Sequence, residues 1–421
     1  MRSRGRTSVS HMYLLFDCNN FFASCEQVFR PDWRRRPLVV LSNNDGCVIS
    51  RSAEAKALGI AMCEPYFKCR QRLEAAGGIV CSANFALYSD LSDRMIRILE
   101  DSLPEVQQYS IDEAFAVVQP GPDWEQEARR IRRKILRWVG ITVSVGLAPT
   151  RTLAKLANET AKKLPQYRGV MALNTPEQIQ SLLETTPVEE VWGVGRKLRE
   201  RMRGAGIRTA AQLAAAPAGR LRRLFGVHGE RLALELQGVS CLDEIEAPQR
   251  TQVMVSRTLS DAIDDPVVLR DALCRFVEKA GRILRDEGLM AAAVHVVLRT
   301  SRYEDTERLY AESSGCALSC HTDDTRVFTA AATALLDSIY RPGYRYRKVG
   351  VLLADLLPAE EVQPTFEHPD AAPSPLMEVL DKLQKSGHNI RFANTSTTPL
   401  AQKAHVSPAF TTSWNDLPEA R

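Results

Sequence analysis

Two carboxylates stand side by side in the stretch Tyr109-Ser-Ile-Asp-Glu-Ala-Phe115. Asp112 and Glu113 lie between residues 106–111 and 114–118, both of which read as strands. Adjacent side chains on a strand point to opposite faces, so the pair shares a face only where the chain bends, as at a hairpin. Two charges beside apolar strands are costly without a counter-charge. A divalent metal supplies one, and carboxylate with water is the ligand set that magnesium prefers. A third carboxylate, Asp17, ends the apolar run Tyr13-Leu-Leu-Phe16. Three carboxylates at the ends of neighbouring strands could hold two metals about 3.5–4 Å apart, which clamps both oxygens of an in-line phosphoryl displacement. An isolated Asp-Glu pair is more often a solvated turn, so the surrounding elements must decide.

Other residues bear on an anionic substrate. Phe21 and Phe22 crowd the chain directly after Asp17, where core packing and a binding role are both open. Lys56 lies on a helix over 53–58 that Ser52 caps and Gly59 ends. Lys155 and Lys162 are two turns apart on a helix over 152–163, able to point together at an anion, although a solvated basic face has the same pattern. Further on, Val191-Trp-Gly-Val-Gly195 opens a helix carrying Arg196, Lys197, Arg199, Arg201 and Arg203, with Arg208 beyond it and Glu200 the segment's only acid. Gly193 and Gly195 let backbone amides approach an anion, and the helix N-terminus favours phosphate. Such a unit grips a nucleic-acid backbone without reading its sequence.

The elements that must position these residues follow from periodicity. Strands over 13–16, 38–41, 47–49, 79–81 and 141–147 alternate with helices over 53–58, 84–103, 124–139 and 152–163. Asp45-Gly46 signals a hairpin between the second and third strands. The alternation from Ile141 to Leu147 predicts a half-buried strand. Together these suggest a sheet backed by helices. Thr175-Pro-Glu-Gln178 is a capping box, and the chain stays helical and arginine-rich to about Gly238. A second α/β unit is predicted from strands over 253–257, 294–299 and 348–355 and helices over 267–286 and 324–339. Arg299, Arg302, Arg341, Arg345, Arg347 and Lys348 flank its strands, as a second DNA-backbone surface or a soluble sheet edge. From Pro358 the chain is proline-rich and polar; one short helix is expected over 376–385, and 395–421 is expected to be partly disordered or to order only on a partner.

Bulk properties fit this organisation. At 421 residues the chain has room for about two to four domains. A hydrophobic content of 44% with 25% charged residues suits a soluble globular protein. The net charge is only +4, so a nucleic-acid surface must come from local patches. No run has the apolar length of a membrane span, and Met1-Arg-Ser-Arg-Gly-Arg6 lacks the apolar core of a signal peptide. The 10 cysteines show no disulfide framework, which suits a reducing cytoplasm. Cys316-x-x-x-Cys320-His321 has one ligand too few for structural zinc and reads as packing. Residues 1–11 read as a polar extension, with Met12 the more natural start.

Five motifs taken together carry a resemblance. Asp17-Cys-Asn-Asn-Phe-Phe-Ala-Ser-Cys-Glu26, Leu41-Ser-Asn-Asn-Asp-Gly-Cys-Val-Ile49, Ala53-Glu-Ala-Lys-Ala-Leu-Gly59, Tyr109-Ser-Ile-Asp-Glu-Ala-Phe115 and Leu153-Ala-Lys-Leu-Ala-Asn158 resemble the Y-family translesion DNA polymerases. The nearest type is UmuC, the catalytic subunit of bacterial DNA polymerase V. The likeness extends through Val191-Trp-Gly-Val-Gly195 and weakly to Ser407-Pro-Ala-Phe-Thr-Thr412, covering nearly everything from Met12 onward.

The resemblance implies an α/β (α+β) right-hand polymerase: palm (12–22 and 84–174), fingers (23–83), a thumb with helix-hairpin-helix (175–243), a little finger (250–357) and a partly disordered tail (358–421). It implies template-directed, error-prone translesion synthesis in SOS mutagenesis and DNA damage tolerance, by a nucleotidyltransferase of the cytoplasm and nucleoid. Asp17, Asp112 and Glu113 match the carboxylates that hold two magnesium ions, with the Cys18 carbonyl a further ligand. Phe22, beside Phe21, matches the steric gate that excludes a 2′-hydroxyl, where UmuC-type chains usually carry tyrosine. Lys56 and Lys162 match cations on the triphosphate. Ala53 stands where some relatives use a phosphate-contacting tyrosine. Gly193, Gly195, Arg196, Lys197, Arg199 and Arg203 fall in the DNA-gripping thumb. Implied partners are primed template DNA, a processed UmuD dimer, RecA and the sliding clamp; the clamp motif is reduced here to the ends of Gln363-Pro-Thr-Phe366. Two other classes stay open. A nucleotidyl cyclase could use the same carboxylate hairpin but has no use for the basic thumb. A catalytically idle DNA-binding subunit would keep the thumb and lose a carboxylate, whereas all three are present.

Overall fold

A computed structural model of the chain describes residues 11–121, 123–242, 250–301, 309–363, 374–388, 390 and 403–417. It divides into two compact units, one of Met1–Glu246 with Ala404–Arg421, the other of Ala247–Lys403. Among the described residues no helix is long and apolar enough to cross a membrane.

In chain order the first unit begins with β1 (Met12–Cys18), α1 (Phe21–Phe29), β2 (Leu38–Leu41), β3 (Val48–Arg51), α2 (Ala53–Ala57), α3 (Tyr66–Ala75) and β4 (Ile79–Ser82). It continues with α4 (Phe85–Glu100), β5 (Val106–Gln108), β6 (Glu113–Val118), α5 (Trp124–Trp138), β7 (Val143–Ala148), α6 (Arg151–Lys163) and β8 (Val170–Ala172). Four helices end it: α7 (Pro176–Thr185), α8 (Arg196–Gly204), α9 (Ala210–Ala215) and α10 (Ala218–Leu236).

The main sheet has the order β5-β6-β1-β7-β8, with β1 antiparallel to both neighbours. Period-two alternation gives β1 two buried faces. Met12, Leu14, Phe16 and Cys18 join the core beneath α4 and α5, while Tyr13 and Leu15 join the core shared with α6 and the last four helices. Asp17 continues the second set. β5 is shorter than the alternating pattern suggests, because Tyr109 and Ser110 turn back to donate their amides to the Glu113 carbonyl. Asp112 therefore sits in the turn and Glu113 begins the strand.

β7 is not the half-buried strand that its alternation predicts. All six of its residues are buried. Ser144 and Gly146, which read as a solvent face, lie under α6. A Cβ on Gly146 would come within 2.0 Å of the Ala154 carbonyl oxygen, so this strand position needs glycine for the helix to approach. Asn158 of α6 fastens the contact by donating Nδ2 to the carbonyls of Ser144 (2.7 Å) and Leu15 (3.3 Å).

A smaller sheet, β3-β2-β4, pairs β2 antiparallel to β3 and parallel to β4. Asp45 takes the left-handed turn conformation at φ 49°, as its hairpin signal requires. Ser52 caps α2 by accepting from the Ala55 amide, and Thr175 and Thr209 form capping boxes on α7 and α9. α10 is broken at Gly226 (φ 74°, ψ −170°) into two helical arms, a feature that the arginine-rich pattern alone does not reveal.

The second unit contains β9 (Gln252–Ile263), α11 (Pro266–Asp286), β10 (Leu289–Thr300), β11 (Ala311–Thr322), α12 (Thr325–Ile339), β12 (Tyr346–Pro358) and α13 (Pro375–Lys385). Its sheet order is β11-β10-β12-β9, antiparallel throughout. Strand β11 is absent from the sequence reading because its small polar residues lack apolar alternation; it pairs along one edge instead. Cys316 and Cys320 lie half-buried on this edge strand rather than in a closed core. Helix α13 is held on this unit by Arg285 bridging to Asp381 and by Lys385 reaching Asp286. Residues 364–366 of the reduced clamp motif, residues 1–10 and Arg302 lie outside the described residues.

Of the 395–421 expectation, residues 395–402 and 418–421 lie outside the described residues, and the remainder needs correction. Residues 404–417 order on the chain's own first unit, without a separate partner. Ser82 forms a parallel bridge to Val406, the Ala404 amide donates to Asp45 Oδ2 at 2.7 Å, and Phe410 is buried against Phe29. The region from Pro358 is thus not one tail but two parts belonging to different units.

Gly146→Ala should push α6 away from the sheet and lower stability by about 3 kcal/mol. Urea unfolding followed by tryptophan fluorescence reads this; a midpoint equal to the parent's would show that the helix does not need the glycine.

Candidate active site

The register of β1 against β6 makes Asp17 and Glu113 direct cross-strand partners, so both carboxylates leave the sheet on the side of α6. Asp112 is adjacent through the backbone, its carbonyl accepting from the Cys18 amide at 2.9 Å. The three predicted carboxylates therefore gather at one strand end. Their side chains differ in state. Asp17 is only 8% exposed. Glu113 is covered by Lys155, whose ammonium lies 3.0 Å from both carboxylate oxygens. Asp112 turns its Oδ1 to the Ser110 hydroxyl at 2.7 Å.

Helix α6 supplies the cations. Lys155 and Lys162, seven residues apart, reach down the same side of the helix to Glu113 and Asp17, the latter at 2.7 Å. The solvated basic face is thereby excluded, and the anions they meet are the chain's own carboxylates. Lys155 is an addition to the site; its two-turn spacing from Lys162 is the sequence signal that points to it. Its ammonium also sits 4.6 Å from the Tyr109 ring and 5.0 Å from that of Trp192, which meets Tyr109 edge-on. The loop Val191-Trp-Gly-Val-Gly195 is thus packed on the carboxylate hairpin.

Burial pushes the Asp17 carboxyl up to about 7, against the lowering effect of Lys162 and with help from a hydrogen bond to Glu113 and its charge. For Lys162, burial disfavours the charge, but Asp17 and Glu159 outweigh it and hold the ammonium above the usual lysine value. A desolvated carboxylate beside a second one is a site short of positive charge.

That shortage tests the fit of the implied magnesium. Asp17, Asp112 and Glu113 offer hard oxygen donors of the preferred kind, at one strand end and beside an open cleft. Among the described residues no three His, Cys, Asp or Glu side chains already converge as a metal-sized cluster. The two lysines stand as counter-ions to Asp17 and Glu113 instead, so the donor types suit the metal and a bound ion would have to displace those contacts.

The cleft beside Asp17 has a volume of ≈ 300 Å³ and is lined by Cys18, Phe21, Phe22, Arg51, Lys56, Asp112 and Lys162 among others. Phe22 and Phe21 enter it from the first turn of α1. The Phe22 ring stacks on Tyr88 at 4.4 Å between centroids. Lys56 is held below the usual lysine value, first by desolvation, then by the neighbouring charges of Arg51 and Lys162. The lining mixes three cations, Arg51, Lys56 and Lys162, with the carboxylates of Asp17 and Asp112, and Lys162 touches Asp17 directly. Arg51 is a further addition to the predicted set; its position one residue before the Ser52 cap is the only sequence signal.

Helix α8 begins at Arg196 with Gly195 as its N-cap, after Gly193 at φ 92°. His228 packs its ring on Gly193 and makes a hydrogen bond with the Gly193 carbonyl at 3.2 Å. Arg196 and Lys197 are exposed on the first turn and Arg199 lies near Glu200 at 3.8 Å. Arg203 is paired with Glu189, and Arg201 turns onto the Phe225 ring. Arg201 and Arg203 are exposed as well, so the basic surface runs along α8, with those two held by the contacts just named.

The impB/mucB/samB family matches residues 16–159, and its C-terminal domain matches 250–366. The IMS family HHH motif matches 176–207, and a domain of unknown function matches 374–420. Protein ImpB of Salmonella typhimurium is 41% identical over 97% of this chain and 100% of its own. The chain belongs to the impB/mucB/samB family. Protein UmuC of Salmonella typhimurium (strain LT2) is 40% identical over 96% of this chain and 99% of its own, and DNA polymerase IV of Caulobacter vibrioides is 30% identical over 85% of each. The Y-family DNA polymerase chimera Dbh-Dpo4(243-245)-Dbh superposes with a TM-score of 0.64 at 23% identity, covering 82% of this chain and 99% of that one. The insertion ternary complex of Dbh DNA polymerase gives 0.51 over the same shares. The fold is thus that of the right-hand Y-family DNA polymerases, and the UmuC-type resemblance holds over almost the whole family member.

The raised Asp17 carboxyl makes a pH prediction. The folded, metal-free chain holds a proton there that the unfolded chain releases near pH 4, so this contribution to stability is full below that value and is lost as pH rises through about 7. Asp17→Asn carries no such penalty. Its melting temperature should gain on the parent's between pH 5 and 8 in chelator; a difference that stays constant with pH would contradict the burial of this charge.

Proposed function

We propose that the first unit extends a DNA primer on a template, tolerating damaged bases, by two-metal nucleotidyl transfer at Asp17, Asp112 and Glu113. The observation that carries this reading is the buried Asp17, opposite Glu113 across two strands, at the mouth of a cleft walled by Phe22 and three cations. In it the palm is the five-stranded sheet with α4 to α6, the fingers the small sheet with α2 and α3, and the thumb α7 to α10. The second unit's four-stranded sheet with α11 and α12 is the little finger.

The residues divide the work. Asp17, Asp112, Glu113 and the Cys18 carbonyl would hold two magnesium ions. Bound there, the ions would acidify the primer 3′-hydroxyl and neutralise charge on the α-phosphate and pyrophosphate. Lys162, once Asp17 takes another counter-ion, has its ammonium available for the triphosphate, alongside Lys56 and Arg51. Phe22 forms the floor under the sugar, where its ring leaves no room for a 2′-hydroxyl. Phosphoryl transfer asks the protein for positioning and charge, so no side-chain nucleophile is needed. Arg196, Lys197 and the amides about Gly193 and Gly195 hold the duplex backbone at the N-terminus of α8. The small fingers sheet leaves the nascent pair loosely enclosed, which admits lesions at a cost in fidelity. The resemblance extends the proposal to an SOS role at the nucleoid, with a processed UmuD dimer, RecA and the sliding clamp as partners.

Primer extension on a primed template with magnesium tests the reading. Asp112→Asn should reduce extension at least a thousandfold while leaving duplex affinity nearly intact; full extension would remove Asp112 from the site. Phe22→Ala should admit ribonucleotides, and unchanged sugar selection would contradict the floor assignment. Charge reversal at Arg196 and Lys197 should weaken binding to all duplexes alike and flatten the salt dependence by about one unit of slope for each phosphate no longer neutralised. Weakening confined to some sequences would argue against backbone gripping.

A further inference from the structure

The residues around Phe22 extend well beyond the cleft. Phe22, Glu26 and Phe29 recur at i, i+4 and i+7 on α1 and so share one side of that helix. Phe22 faces the nucleotide cleft, Glu26 lies in the core, and Phe29 meets the C-terminal segment. Glu26 is fully buried, and its Oε1 accepts from the Tyr88 hydroxyl at 2.7 Å and from the Ser407 hydroxyl at 3.2 Å. Burial raises the Glu26 carboxyl and these two donors oppose the rise. Tyr88 passes the connection on, its ring stacked on Phe22 at 4.4 Å and 15°.

The C-terminal segment holds this node from two more directions. Asn84 caps α4 by accepting from the Leu87 amide, and its Nδ2 donates to Ser407 Oγ at 3.0 Å and to the Pro408 carbonyl at 3.3 Å. The segment is therefore tied to the first turn of the helix that carries both Phe85 and Tyr88, and Phe85 stands edge-on to Phe22 and to Tyr88. Phe410 is buried and stacks on Phe29 at 4.9 Å and 4°. The parallel bridge of Val406 to Ser82 sets the register of these contacts at the edge of the small sheet.

We propose that the C-terminal segment Ala404–Leu417 is a positioning element for nucleotide sugar selection, acting through Ser407, Glu26 and Tyr88 on Phe22. This gives a role to part of a region whose family match assigns none. It rests on the reading of Phe22 as the floor under the sugar. The segment touches no substrate. It fixes the Tyr88 ring from behind, and that ring fixes the plane of Phe22. A phenylalanine has no hydroxyl to anchor its own ring, so its position depends on the rings behind it.

The test measures single-nucleotide insertion by the full chain, with dNTP and rNTP in separate reactions. Ser407→Ala and Tyr88→Phe should each lower the ratio of the two kcat/KM values about five- to tenfold, mainly by raising KM for the deoxynucleotide. Phe22→Ala sets the full loss. Adding Ser407→Ala to Phe22→Ala should change nothing further. Glu26→Gln keeps an oxygen that accepts both hydroxyls and should retain the parental ratio, whereas Glu26→Leu should not. Ser407→Ala removes a single buried oxygen and no packed ring, which keeps the proposal testable should Glu26→Leu fail to fold. If Ser407→Ala and Tyr88→Phe lower the melting temperature but leave the sugar ratio intact, the segment is only structural and the proposal is overturned while the Phe22 assignment stands. If Phe22→Ala itself leaves the ratio unchanged, both fall.

Discussion

A carboxylate held at the end of a buried strand, with only a cleft's edge open to water, is the constraint around which the first unit is built. Asp17 is the sixth residue of a strand buried on both faces, and nothing in an apolar core would tolerate it unpaired. The fold answers with Lys162, brought from 145 residues away on a helix that crosses the same strand. Glu113, its neighbour across the ladder, is answered in the same way by Lys155, two turns earlier on the same side of that helix. Two carboxylates and two ammonium groups thus form a compact polar seam between sheet and helix. The pairing is poised rather than locked, since the Asp17 carboxyl still sits near 7 with its lysine in contact. A stronger counter-charge has every electrostatic reason to displace that lysine.

The seam exists only because α6 lies unusually close to the sheet. Gly146 provides the clearance and Asn158 the attachment, donating to carbonyls of β1 and β7. Trp192 closes the far side by packing on Tyr109, so the loop that opens α8 is part of the same construction. The proposed chemistry and the proposed duplex grip are therefore not independent modules on one chain. Each is seated on the Tyr109–Phe115 hairpin.

Much of this is legible in the sequence. The carboxylate motif, the apolar run into Asp17, the Lys155 and Lys162 spacing and the capping box at Thr175 each encode a local rule, and local rules survive folding. What the sequence hides depends on contacts between distant residues. Ser144 and Gly146 look like a solvent face because alternation cannot tell water from a close helix. β11 has no apolar signal since an edge strand with small residues needs only a partner's backbone. Residues 404–417 read as disordered because Phe410 finds its stacking partner 381 positions earlier, at Phe29. Glu26 sits in the first motif and gives no hint of burial, since its two donors come from Tyr88 and Ser407.

The central claim is that the buried carboxylate pair exists to hold divalent cations. Manganese binding, followed by electron paramagnetic resonance of the free ion, measures this without requiring turnover. With primed DNA and a non-hydrolysable deoxynucleotide present, the chain should bind about two manganese ions, and Asp17→Asn should lose tight binding while still retaining DNA. Manganese affinity and stoichiometry unaltered by that substitution would contradict the account.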